Sequence, residues 1–193
     1  MRRLLLIVAM SLAASTANAH TRAWNFRVLL DDSEIGRHRF TLRDDSAGRE
    51  LRSEARFDVR FLAIPVYHYE HEATEHWRDG CLRALDSRTD DDGERKSVSW
   101  RETGSACRMS FAYWNPNILQ QRRLLNAQTG EFVPVEVAAL GEESITVRGR
   151  PVRAQRYRLS APQLDIDIWL DEGEWVALES TARGGRKLRY ELL

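Results

Sequence analysis

Chemistry-bearing side chains crowd into one stretch, Val66 to Trp77, which reads V-Y-H-Y-E-H-E-A-T-E-H-W. It holds three of the five histidines, His68, His71 and His76, together with Glu70, Glu72 and Glu75. Imidazoles and carboxylates side by side are the material of acid–base catalysis and of metal ligation. Read as a helix, His71-Glu72 starts the H-E-x-x-H zinc motif, but position 75 is glutamate and His76 comes one residue late. Read as a strand, Tyr67, Tyr69, His71, Ala73, Glu75 and Trp77 share one face, and His68, Glu70, Glu72, Thr74 and His76 the other. The aromatic onset and the alternation favour the strand. Its wholly polar face then belongs to solvent, and a flat exposed strand does not bring three ligands to one ion. On the aromatic face, His71 and Glu75 could line a pocket, with Glu75 orienting a polar ligand group and His71 acting as acid or base. The structural account, which is favoured, is that the two satisfy one another or pair with arginines across the sheet.

A second stretch organises the chain around it. Cys107 to Gly130 contains one of the two cysteines, the aromatic pair Tyr113-Trp114 and a run of side-chain amides. Met109, Phe111 and Tyr113 alternate with Arg108, Ser110 and Ala112, which predicts a strand. At Asn115 the period changes. Asn115 is a good N-cap, Pro116 suits the first helical position, and Ile118, Gln121, Arg122 and Leu125 keep helical spacing. The prediction is one short helix from Pro116 to about Asn126, with Asn126 as left-handed terminator and Thr129-Gly130 completing the turn. Cys81 and Cys107 are most simply a disulfide, closing a loop of about 25 residues worth roughly 3–4 kcal/mol in the chain-entropy model. Asp90-Asp91-Asp92-Gly93 resembles a calcium loop only at first sight, because the twelfth position from Asp90 is Arg101 rather than glutamate.

The elements that must position these residues read almost entirely as strands. Trp24, Phe26, Val28 and Leu30 alternate with polar neighbours, as do Gly36, His38, Phe40 and Leu42, and Leu51, Ala55, Phe57, Val59 and Phe61. Turn clusters at Asp31-Asp32-Ser33 and 44–48 separate the three runs. Further strands are expected at 82–89, 97–101, 132–139, 144–148, 152–159, 164–170, 175–180 and 188–192. Asp-Gly, Gly-Arg and Glu-Gly turns punctuate them. There is no internal repeat and no linker, so residues 20–193 are expected to form a single β-rich domain.

Composition narrows the function classes. Arg2 and Arg3, an apolar run from Leu4 to Ala14, and Ala17-Asn18-Ala19 make a secretory signal, with cleavage predicted after Ala19 and a periplasmic destination. No later run is long and apolar enough to span a membrane, so the mature chain has no transmembrane anchor. The chain has 29 basic and 29 acidic residues, scattered along its length. That balance gives no electrostatic reason to expect nucleic acid. No catalytic motif, metal site or cofactor is found.

The spaced motifs W-N-F-R-V-L-L-D with Ile35-Gly36-x-His38-x-Phe40, Glu75-x-Trp77-x-x-Gly80-Cys81-Leu82 and Tyr113-Trp114-Asn115-Pro116 through Ile118-Leu119-x-Gln121 carry a resemblance. So do Leu125-Asn126-x-Gln128-Thr129-Gly130, Leu178-Glu179-Ser180 and Gly185. Over the whole mature chain the sequence resembles an exported bacterial family, domain-of-unknown-function family 6134, which implies no particular activity. At the level of fold it is similar to LolA/LolB-like periplasmic lipoprotein carriers. That similarity implies a mainly β protein: a strongly curved antiparallel sheet, a half-barrel or unclosed barrel of about ten strands, with the short helix crossing its concave face.

Three functions follow as expectations. The first is a non-catalytic binding module for a lipid or other apolar ligand in the hollow of the sheet, with Tyr69, His71, Glu75, Trp77, Trp100, Tyr113 and Trp114 as ligand-binding residues. Plain core packing accounts for the same aromatics one by one. The second is a structural or interaction protein of the envelope, meeting a partner through sheet edges or the amides between Asn115 and Gln128. The third is an enzyme using His71 and Glu75.

Overall fold

The computed structural model describes residues 20–193 apart from 47, 63 and 163, so the expected signal peptide and its cleavage site lie outside the described residues. The period-2 runs become strands. β1 (His20–Leu30), β2 (Ser33–Asp45), β3 (Gly48–Phe61), β4 (Ile64–Arg78), β5 (Cys81–Asp91) and β6 (Glu94–Arg101) follow one another as an antiparallel meander. After a long irregular connection come β7 (Arg123–Leu125) and β8 (Phe132–Pro134), which pair only with each other. A second meander follows: β9 (Glu136–Val147), β10 (Arg150–Ala161), β11 (Leu164–Asp171), β12 (Glu174–Thr181) and β13 (Lys187–Leu192). β13 pairs with β1, and this joins both meanders into one eleven-stranded sheet of order β6-β5-β4-β3-β2-β1-β13-β12-β11-β10-β9.

The turns follow the local chemistry. Asp79-Gly80, Asp92-Gly93, Arg148-Gly149 and Glu172-Gly173 all have positive φ at both residues. That is the two-residue hairpin geometry whose twist matches the strands, and Asp-Gly is among its favoured sequences. Gly36 is required for a different reason. At φ +155° a Cβ there would stand 2.0 Å from the carbonyl oxygen of Arg56, so only glycine lets β2 lie this close to β3.

Alternation places one face of the sheet on the core. Phe26, Phe40, Trp175 and Tyr190 meet there, with the Phe26 and Trp175 rings 4.4 Å apart. Residues 102–135 run across this face. Trp114 stands edge-on to Trp77 at 5.4 Å, Tyr113 lies 5.2 Å from Trp175, and Ile118 and Leu124 are fully buried. Cys81 and Cys107 form the expected disulfide, which ties the start of this crossing segment to the head of β5.

The structure corrects the sequence reading in four places. The helix is only a 3-10 turn, Pro116–Gln120. Asn115 does cap it, its side-chain oxygen accepting from the Asn117 N–H at 3.1 Å, but Gln121 is already extended. The chain then pairs Arg123–Leu125 with Phe132–Pro134, and both Leu124 and Leu125 are buried to zero exposure. Residues 107–113 are not a regular strand either. Among the described residues their ladder pairing is limited to the isolated bridges of Arg108 with Leu82 and Ser110 with Leu125. The two strands expected over 132–148 divide differently, since Gly141 (φ +99°) is accommodated in a bulge opposite Arg156 and Tyr157 and the chain continues straight through as β9. Finally, the sheet is neither closed nor strongly curled. Each strand pairs only with its neighbours in the order given, which leaves β6 and β9 as two separate edges where a barrel would have joined them.

Candidate functional site

Between the sheet and its crossing segment lies a cavity of about 630 Å³. β2, β3 and β4 supply one wall, including Phe40, Phe57 and Tyr69. β11, β12 and β13 supply the other, including Ile166, Leu178 and Tyr190, while Phe111, Tyr113 and Trp114 cover it. The lining is mostly aliphatic and aromatic, because these are the inward positions of half-buried strands. Phe57 and Tyr69, register partners on β3 and β4, stack at 5.3 Å with nearly parallel rings.

A few polar groups interrupt this lining, and most of them satisfy one another. His38 uses one ring nitrogen on the Tyr190 hydroxyl at 3.2 Å and the other on the Ser53 hydroxyl at 2.7 Å. His71 Nδ1 meets the Thr89 hydroxyl at 2.8 Å. Loss of hydration, with the charge of His71 adding to it, pulls His38 down to about 3. Burial alone pulls His71 down to about 4. Both imidazoles are therefore neutral at neutral pH. Burial likewise raises the phenol pKa values of Tyr69, Tyr113 and Tyr190.

Glu75 differs. It is 6 % exposed and accepts the Trp77 indole N–H at 2.9 Å. Burial pushes its carboxyl up to about 7, although Ser110 and Trp77 favour the carboxylate. The Ser110 hydroxyl stands close enough to exert that influence yet completes no hydrogen bond of good geometry. Among the described residues the Trp114 indole N–H is also buried without a partner. The expectation that His71 and Glu75 pair with each other or with arginines is thus corrected: each is held by an uncharged neighbour.

Five of the residues singled out in the sequence come together here: Tyr69, His71, Glu75, Tyr113 and Trp114 line the cavity. Trp77 lies behind Glu75 and braces Trp114. Trp100, on the edge strand β6, packs on Phe132 of β8 and does not reach the cavity. On the outer face of β4, His68 meets Asp58 at 2.8 Å, and Arg56 meets Glu70 at 3.1 Å. Ser53, Ser110 and Tyr190 were missed, because one hydroxyl on an alternating strand gives no signal until its neighbours across the sheet are known. The Ser53–His38–Tyr190 chain has the outline of a nucleophile, a base and an orienting group. Burial holds His38 far below the basicity of a free imidazole, and Ser53 sits within β3, whose backbone is paired with β2 and β4.

Comparison with known proteins gives one finding about the whole chain. A family described as "Domain of unknown function (DUF6134)" matches residues 26–193, the span from the middle of β1 to the end of the chain. No curated protein matches the sequence.

Proposed function

We propose, from the premise that this chain belongs to the DUF6134 family, that it is a non-catalytic binding protein for a lipid or other apolar ligand. The family description supplies no activity, so the reading rests on the site. One observation carries it: a cavity of about 630 Å³ with mainly apolar walls, inside the range of small-molecule sites. A core packed for stability alone leaves few voids larger than a water molecule. The reading takes the crossing segment as a strap over the hollow of the sheet, in the manner of LolA/LolB-like carriers. It also takes the protein to be periplasmic. The leader read in residues 1–19 supports export, and the Cys81–Cys107 disulfide is consistent with an oxidising compartment.

An apolar route into the hollow supports the same reading. Val59 and Val66 line the cavity, and Val66 continues into the β3–β4 hairpin tip, where Leu62 is 83 % and Ile64 64 % exposed. Delipidated protein should gain thermal stability and change its tryptophan fluorescence when titrated with fatty acids or phospholipids. Ligand at a hundred times its Kd would add about 2.7 kcal/mol. Protein that responds to none of them in either measurement overturns the proposal.

A further inference from the structure

The polar groups of the cavity divide into two sets. His38, Ser53, Tyr190, His71 and Thr89 bond among themselves. At the inner end lie Glu75, Ser110 and Trp114: Glu75 accepts from Trp77, Ser110 stands beside the Glu75 carboxyl without completing a hydrogen bond of good geometry, and among the described residues the Trp114 indole N–H has no partner. β4 shows which end is which. Val66 is 52 % exposed, whereas His71, Ala73 and Glu75 are each 6 % exposed. From Val66 to Glu75 the strand spans roughly 30 Å, enough for an extended acyl chain. Buried polar groups left without partners are rare, and a cluster of them beside a cavity calls for an explanation.

Resting on the apolar-ligand reading, we propose that this inner end binds the polar head of the ligand, and that the head is a carboxyl or ester group ending an acyl chain. The donor set selects that chemistry. Ser110 offers an O–H and Trp114 an N–H. Glu75 accepts from Trp77 on one oxygen, which leaves the other to carry the proton when the carboxyl is neutral. Two buried donors without partners among the described residues, lining the same cavity as the Glu75 carboxyl, suit a carbonyl or carboxylate oxygen.

The proton on Glu75 is part of the recognition. Leu51 of β3 and Leu85 of β5 flank Glu75 in register, His71 and Trp77 lie along its own strand, and Ser110 and Trp114 come from the crossing segment. Among these only His71 titrates, and it is neutral above about 4. The Glu75 carboxyl, raised to about 7 by burial, therefore donates to the ligand below that pH and repels a ligand carboxylate above it.

The test compares dodecanoic acid, its methyl ester and dodecane as competitors of a fluorescent apolar probe, at about pH 6 and pH 8.5. The acid is expected to bind about tenfold or more tighter than dodecane at the lower pH, and to lose about tenfold per pH unit above 7. Glu75→Gln keeps a donor that does not ionise, and should make acid binding independent of pH. Ser110→Ala should weaken the acid several-fold while leaving dodecane unchanged, which also reports that the hollow is intact. Acid bound better than ester identifies a free fatty acid, and equal binding identifies an ester-linked acyl chain. Dodecane binding as tightly as both, or a pH profile unmoved by Glu75→Gln, overturns this inference and leaves the apolar-ligand reading standing. Failure of all three ligands to bind removes both.

Discussion

A carboxyl that keeps its proton to about pH 7 in the folded protein loses it near 4.5 once the chain unfolds. The folded state thus binds the extra proton between those values, and the stability contributed by Glu75 falls as pH rises through that window. At about 1.4 kcal/mol per unit, the cost reaches about 3 kcal/mol by pH 7. Glu75→Gln is expected to be more stable than the parent at pH 8 by about 2–3 kcal/mol and little different at pH 4, as read by urea denaturation at both pH values. The histidines act in the opposite direction. His38 and His71 have folded values of about 3 and 4, below their unfolded 6.5, so their contribution is whole above 6.5 and is lost as pH falls.

The crossing segment is where local sequence and tertiary context part company. The Cys81–Cys107 disulfide should stabilise by about 3 kcal/mol in the chain-entropy model. Replacing both cysteines by serine should lower Tm and speed amide exchange in residues 107–130 well before β1–β3 is affected, as hydrogen–deuterium exchange would show. Uniform exchange across the protein would mean that the bridge does not pin the segment. The strands β1 to β6 were legible because each obeys a period of two and all but β3, which turns at Leu62 ahead of Pro65, end in Asp or Gly turn chemistry, as at Asp92-Gly93. The helix at Pro116 was half legible: Asn115-Pro116 marked its start correctly. Its length was misread because Ile118 and Leu125 also happen to fit helical spacing. The better signal was Asn126 to Gly130, a turn between two short apolar runs, whose Gly130 N–H returns to the Asn126 carbonyl at 2.8 Å. Inward-facing Glu75 was visible as a position but not as an environment, since its neighbours Ser110 and Trp114 lie about 35 residues away in sequence.

At the scale of the whole molecule, the sheet hangs on the pairing of β1 with β13, from Phe26 opposite Leu192 to Leu30 opposite Leu188. Phe26 and Tyr190, brought together by that pairing, also belong to the aromatic cluster of the core. Deleting residues 187–192 would therefore separate the two meanders. The shortened chain is expected to lose its cooperative thermal transition and to bind a dye for exposed apolar surface, as differential scanning calorimetry and dye fluorescence would report. A chain that still melted sharply would show the halves to be independent. The same pairing has a consequence for how the protein is made. Eleven other strands separate the two partners in the chain, so β1 leaves the ribosome long before its second neighbour β13. Until then β1 has an open edge, and a nascent chain carries an unfinished sheet that any passing strand could extend. This topology rewards holding the chain unfolded until β13 has emerged.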